Sequence, residues 1–170
     1  VERAENIRGV KIFDIPFLCR EVNPYKDIKA FILLYKLFKK ENYTIIHTHS
    51  SKAGLLARFA AMLNKTPVII HTIHGFAFND FMNVFKKSFF INVEKLLAKW
   101  TNVLITVSNL NKKKIIDLNI AKETKLKNIY SGIDLNLFTN KRNDEFRNEL
   151  NLKNDHILLG SVGRLSRQKD

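Results

Sequence analysis

The residues most able to do chemistry gather where two short apolar runs give way to polar ones. Thr44-Ile45-Ile46 leads into His47, Thr48, His49, Ser50 and Ser51, and Val68-Ile69-Ile70 leads into His71, Thr72, His74 and Gly75. An imidazole can donate, accept or take up a proton near neutral pH. His74 is followed directly by a glycine, which lets a ligand or another backbone approach closely. A structural histidine satisfied by its neighbours is the competing reading. His47 and His49 would share one face of a strand, but no carboxylate or cysteine stands beside any of these histidines, so no metal is expected. Ser50-Ser51-Lys52-Ala53-Gly54 puts hydroxyls and backbone N–H groups at a helix start, which suits either an anion or plain capping. It is not a phosphate loop, because the glycine spacing and the Gly-Lys-Ser/Thr ending are missing. Gly163-Arg164 and Lys169 surround a later strand-to-helix turn. A forked guanidinium and a flexible ammonium there suit a diphosphate, unless both are simply solvated. No nucleophile elbow of the Gly-x-Ser-x-Gly type appears, so hydrolase chemistry has little support.

These residues need elements to hold them. Between the two clusters, Ala53 to Asn64 carries apolar residues at helical spacing, so strand, helix and strand form a βαβ unit with parallel strands. Ligands of open parallel sheets sit beyond the carboxyl ends of the strands, where both polar clusters fall. Upstream, Val10 to Ile15 reads as a strand closed by Pro16, and Asn23-Pro24 as a helix start with Asn as N-cap. Lys39 and Lys40 end that helix, as its dipole prefers. Downstream, Phe81 to Trp100 reads as a long helix. Its stripe of Phe81, Phe85, Phe89, Val93, Leu96 and Trp100 is expected to face the core, with Lys86, Lys87, Lys95 and Lys99 solvated. The alternative is a basic amphipathic surface lying on anionic lipid. Val103 to Val107 is a strand and Ser108 caps the helix after it. A short strand at Lys127 to Tyr130, a helix at Asn143 to Leu150 and a strand at Ile157 to Val162 complete the pattern. The alternation specifies an α/β chain with a mostly parallel sheet.

Bulk properties narrow the classes. The 170 residues suffice for an ordinary domain, and a 45% hydrophobic share with three prolines and six glycines leaves little room for disorder. The single Cys19 excludes an internal disulfide and suits a reducing compartment. No apolar run approaches the ~20 residues of a spanning helix, and no signal peptide is expected. There are 29 Lys+Arg against 16 Asp+Glu, a net charge of +13, which calls for anionic partners. The lysines are scattered and no aromatic-basic interleaving of the base-stacking kind is present, which argues against nucleic acid.

Five stretches in order, IIHTHSSKAGLLARFAA, VIIHTIHGFAF, VLITVSN, NIYSGIDLNLF and ILLGSVGRLSRQKD, resemble family 4 glycosyltransferases of the two-Rossmann-domain (GT-B) type. Arg20 to Pro24 with Asp27 also resembles members that build bacterial surface polysaccharides. The resemblance implies a Rossmann-like, mostly parallel sheet flanked by helices. It divides the chain into an acceptor-side domain at 1–151, lacking its first βα turn, and the opening of a truncated donor-binding domain at 152–170. It implies retaining transfer of a sugar from a nucleotide-sugar donor to a lipid-linked or saccharide acceptor, with no cofactor and no metal. His74 matches the catalytic histidine at the donor sugar. Gly163, Arg164 and Lys169 match the turn that holds the donor diphosphate. His49, Ser50, Gly75 and Phe76 are expected to line the acceptor side of the cleft. Gly132 and Asp134 match a signature in which a structural role is expected. The protein would be cytoplasmic, peripheral on the inner face of the membrane and docked through Lys86, Lys87, Lys95 and Lys99. Asp170 replaces a glycine usual in the family, and the paired glutamates of the donor domain do not appear. The chain is therefore expected to be a fragment, inactive alone. A nucleotide-sugar epimerase of related fold and a basic nucleic-acid-binding module are the alternatives.

Overall fold

The computed structural model describes residues 8–19, 21–137, 144–153 and 155–163. Their contacts fall into two units, Val1–Ser131 and Gly132–Asp170.

In the first unit, helix α1 (Pro24–Glu41) precedes strand β1 (Ile45–His49) and helix α2 (Ser51–Leu63). Strand β2 (Val68–Ile73), helix α3 (Val84–Trp100), strand β3 (Val103–Thr106), helix α4 (Asn109–Asp117) and strand β4 (Leu126–Asn128) follow. The sheet runs β1-β2-β3-β4, and every pairing is parallel. Right-handed crossovers between strands taken in this order place every connecting helix on the same face. That face carries Ile46, Thr48, Ile69, His71, Ile73, Leu104, Thr106 and Leu126, all buried. Ile46 and Ile69 pack with Ala61 of α2, while Ile73, Leu104 and Leu126 pack with Ala98 of α3 and Ile115 of α4. On the opposite face Ile45 is 57% exposed and His47 and His49 are open to solvent.

Local chemistry fixes the helix ends. Asn23 Oδ1 accepts from the Lys26 N–H at 3.1 Å, and Pro24 occupies the first helical position. Ser108 Oγ does the same for Asn111 at 3.2 Å. Helix α1 packs on α2 through Phe31 and Phe59, whose ring centroids lie 5.4 Å apart.

Three expectations fail. Residues 10–15 form no strand, and Val10, Ile12 and Phe13 are exposed. Residues 157–162 form none either, with Ile157 87% exposed. Both runs have β-forming side chains but no ladder partner among the described residues, and β-propensity expresses itself only against a neighbouring strand. The third concerns α3. Its buried residues are Glu94, Leu97 and Ala98, whereas Phe85 (85% exposed), Phe89, Leu96 and Trp100 face outward. The helix is apolar on two sides, and an ion pair from α2, described below, selects the other one.

The second unit contains a 3-10 turn at Leu135–Leu137 and helix α5 (Asp144–Glu149). Asp134 Oδ1 accepts from the Asn136 N–H at 3.0 Å, a turn-forming bond that suits a structural role. Arg147 donates to the carbonyls of Lys153 and His156.

Candidate active site

Strand β1 ends at His49 and β2 at Ile73, so both ladders run further than expected. His47 and His71 thereby become strand residues, while His49 and His74 stand at the carboxyl rim. The register sets His49 opposite Thr72, which brings His74 alongside it. His49 Nδ1 and His74 Nε2 share a hydrogen bond of 3.1 Å, with ring centroids 5.4 Å apart and stacked. His47 lies on the other side of His49 at 4.4 Å between centroids, and Thr72 Oγ1 holds its Nε2 at 2.8 Å. Three imidazoles thus form a column along the open face and rim. Burial, followed by the charges of His47 and His74, holds the His49 imidazole below its ordinary value.

Ser50 makes the corner into α2. Its backbone has φ 62 and ψ 159, a region that residues with a side chain seldom occupy, and its hydroxyl makes no capping bond. Simple capping therefore does not account for it. Ser51 Oγ donates to the Gly75 carbonyl at 3.3 Å and ties the two rim segments together. A β-carbon at Gly75 would meet no protein atom within 4 Å, so that side of the backbone is open. Phe76 goes the other way: it packs against the core and stacks near Phe78, with the Lys114 ammonium over its ring.

Beside this corner lies a cavity of about 840 Å³ between the starts of α1 and α2 and the side of α3. Leu55, Leu56, Phe89 and Val93 give it apolar walls, while Asp27, Ser50 and Lys52 make its polar end. Lys52 is paired with Asp27 and also donates to the Glu21 carbonyl. The free Cys19 lines the same cavity.

Beneath the rim is a buried polar layer that the sequence alone did not single out. Arg58 of α2, 2% exposed, donates from Nη2 to both carboxylate oxygens of Glu94 on α3, at 2.9 and 3.1 Å, and from Nε to the Gly54 carbonyl. Burial works against the Arg58 charge and Glu94 supports it. His71, also 2% exposed, shares a 2.8 Å hydrogen bond with Thr48 Oγ1. Burial first, then Arg58, bring its pKa down to about 3 against the pull of Thr48, so the ring is neutral. A β-carbon at Gly54 would lie 2.4 Å from His71 Cε1, so only glycine lets α2 sit this close to the sheet. The available signals were a glycine inside a helical pattern and a charged residue, Arg58, on its apolar stripe.

Gly163 is exposed, and Arg20, Arg164, Lys169 and Asp170 lie outside the described residues. Lys86 and Lys99 are exposed, Lys95 is half-buried, and Lys87 is held by Asp80 at 2.8 Å. Among the described residues no group of three or more His, Cys, Asp or Glu side chains is arranged to hold a metal ion. No helix among them is long and apolar enough to cross a membrane.

A parallel sheet with helical crossovers and a polar carboxyl rim is the Rossmann-like architecture of a GT-B half. HepE of Anabaena, solved in complex with UDP, shares this fold, with a TM-score of 0.60 and 17% identity, covering 72% of this chain and 32% of that one. The model of Glycosyltransferase Family 4 matches residues 1–137, and the chain belongs to that family. It is 40% identical over 164 residues to UDP-Gal:alpha-D-GlcNAc-diphosphoundecaprenol alpha-1,3-galactosyltransferase of Escherichia coli, covering 95% of this chain and 42% of the relative. It is 29% identical over 154 residues to the capsular polysaccharide biosynthesis glycosyltransferase CapM of Staphylococcus aureus, covering 88% and 40%. The chain thus spans about two fifths of the length of these relatives.

Proposed function

We propose that this chain is the acceptor-side part of a retaining glycosyltransferase of bacterial surface-polysaccharide synthesis. The enzyme moves a sugar from a nucleotide-sugar donor to a lipid-linked or saccharide acceptor. The observation that carries the reading is the meeting of His49 and His74 at the carboxyl rim of adjacent parallel strands, in a chain of family 4. His74 is the catalytic residue at the donor sugar. Gly163, Arg164 and Lys169 hold the donor diphosphate, where positive charge stabilises the leaving group as the glycosidic bond breaks. His49, Ser50 and Gly75 face the acceptor, and no metal or cofactor takes part. The Escherichia coli relative, named for its diphosphoundecaprenol-linked acceptor and UDP-Gal donor, supports a lipid-linked acceptor here. Family membership favours transfer over epimerisation and over nucleic-acid binding.

The test is transfer by an enzyme in which this chain is completed by a donor-binding domain. His74→Ala is expected to lower turnover by roughly 100-fold or more, the range for losing a positioned acid–base or polar group. Near-normal turnover removes the role assigned to the imidazole.

The outer side of α3 supports peripheral binding to an anionic membrane. At 3.6 residues per turn, Lys86 flanks the exposed Phe85, Phe89, Leu96 and Trp100 on one side, and Lys95 and Lys99 flank them on the other. Lys87 points elsewhere, toward Asp80. Co-sedimentation with phosphatidylglycerol vesicles but not with phosphatidylcholine vesicles is expected, and Phe85→Ser/Phe89→Ser should weaken it. Equal binding to both vesicle types ends this part of the proposal.

A further inference from the structure

His74 does not stand alone at the rim, and its partner is unusual. The contact joins two ring nitrogens, His49 Nδ1 and His74 Nε2, 3.1 Å apart. Between them there is room for one hydrogen. An imidazolium carries N–H on both nitrogens, so if both rings were protonated, two hydrogens would meet head-on and the contact would have to open.

We propose that His49 is a positioning residue for His74, the two rings sharing one N–H and titrating as a pair that holds at most one positive charge while the contact lasts. This fixes the chemistry of the free nitrogen. With one extra proton on the pair, either His74 is the imidazolium and donates to His49, or His49 is the imidazolium and donates to His74 Nε2. In both arrangements His74 Nδ1 bears hydrogen. In that singly charged state His49 presents His74 as a hydrogen-bond donor through Nδ1, suited to a sugar hydroxyl or a developing negative charge on oxygen. The role at a sugar rests on the reading of His74 given above, whereas the coupling of the rings does not.

The surroundings reinforce the pairing. The His47 ring lies tilted against His49 and is itself anchored by Thr72, which fills the space behind His49 along the strand. The titratable groups on the packed elements are His47 on β1, His71 and His74 on or just after β2, and Lys52 and Arg58 on α2. Lys52 is matched by Asp27 and Arg58 by Glu94, and His71 is neutral. The charge that His49 meets from nearby is thus that of His47 and His74.

Nitrogen-15 imidazole spectra of the chain, followed against pH, test this directly. In the native chain His49 and His74 are expected to titrate together in two steps separated by at least about one pH unit, with His74 Nδ1 protonated between them. In His49→Ala and in His49→Gln, whose amide can fill the space but takes up no proton in this range, His74 should titrate in a single step. Unchanged Thr48 and His71 signals verify that the sheet is intact. Independent single-step curves in the native chain, or a His74 curve unmoved by either substitution, overturn the proposal. Coupled titration alongside full transfer by the His74→Ala enzyme would leave the pairing standing and remove only the catalytic reading of His74.

Discussion

His71 and His74 lie three residues apart around the end of one strand, in opposite chemical settings. His71 is sealed under Gly54, bonded to Thr48 and kept neutral by burial and Arg58. His74 is exposed and meets another imidazole. The first ring serves as packing with a fixed hydrogen bond, and the second lies open to solvent beside its partner ring. His71 lies inside the ladder on the face that the helices cover, whereas His74 lies just past it on the open side with His49.

Breaking the inner layer should have the largest effect on stability. Glu94→Ala leaves the Arg58 guanidinium buried without its carboxylate, which typically costs 3–5 kcal/mol, about the penalty for stranding one partner of a buried pair. Denaturant midpoints measure it. A loss below about 1 kcal/mol would mean that the guanidinium is not dependent on this partner, and the contrast between layers would weaken. An effect that is smaller near neutral pH and grows with acid sharpens the comparison. In the unfolded chain His71 binds a proton below its ordinary pKa near 6.5, whereas in the folded chain it does so only near 3. Between these values the unfolded state holds more protons, so acidification favours unfolding. The native chain should lose about 1.4 kcal/mol more per pH unit across this window than His71→Gln.

Much of this was legible in the residues, and the exceptions have physical causes. Caps at Asn23 and Ser108 are local devices, readable because the side chain bonds to a backbone N–H only a few positions on. The βαβ unit was readable because apolar period and turn residues agree. The facing of α3 was not: Phe85, Phe89, Leu96 and Trp100 make as good a stripe as Phe90, Leu97 and Ala98, and the choice is made by Arg58 from another helix. Residues 10–15 and 157–162 have strand-like composition, but a ladder is a property of two segments, and one segment cannot announce its partner. The rim position of His49, Ser50 and His74 was readable from their place at strand ends. Phe76 was placed with them by the resemblance, and its half-buried ring packs against the edge of the core. Arg164 and Lys169 lie outside the described residues.

The closeness of Gly54 to the His71 ring makes the spacing between helix and sheet a single adjustable dimension. Lengthening that gap by even one methyl group would lever the start of α2 outward. Ser50 and His49 sit at the hinge of that lever, so the rim would be displaced without any of its own residues being altered. A substitution at position 54 would then look, in an assay of the proposed sugar transfer, like damage to the rim residues themselves.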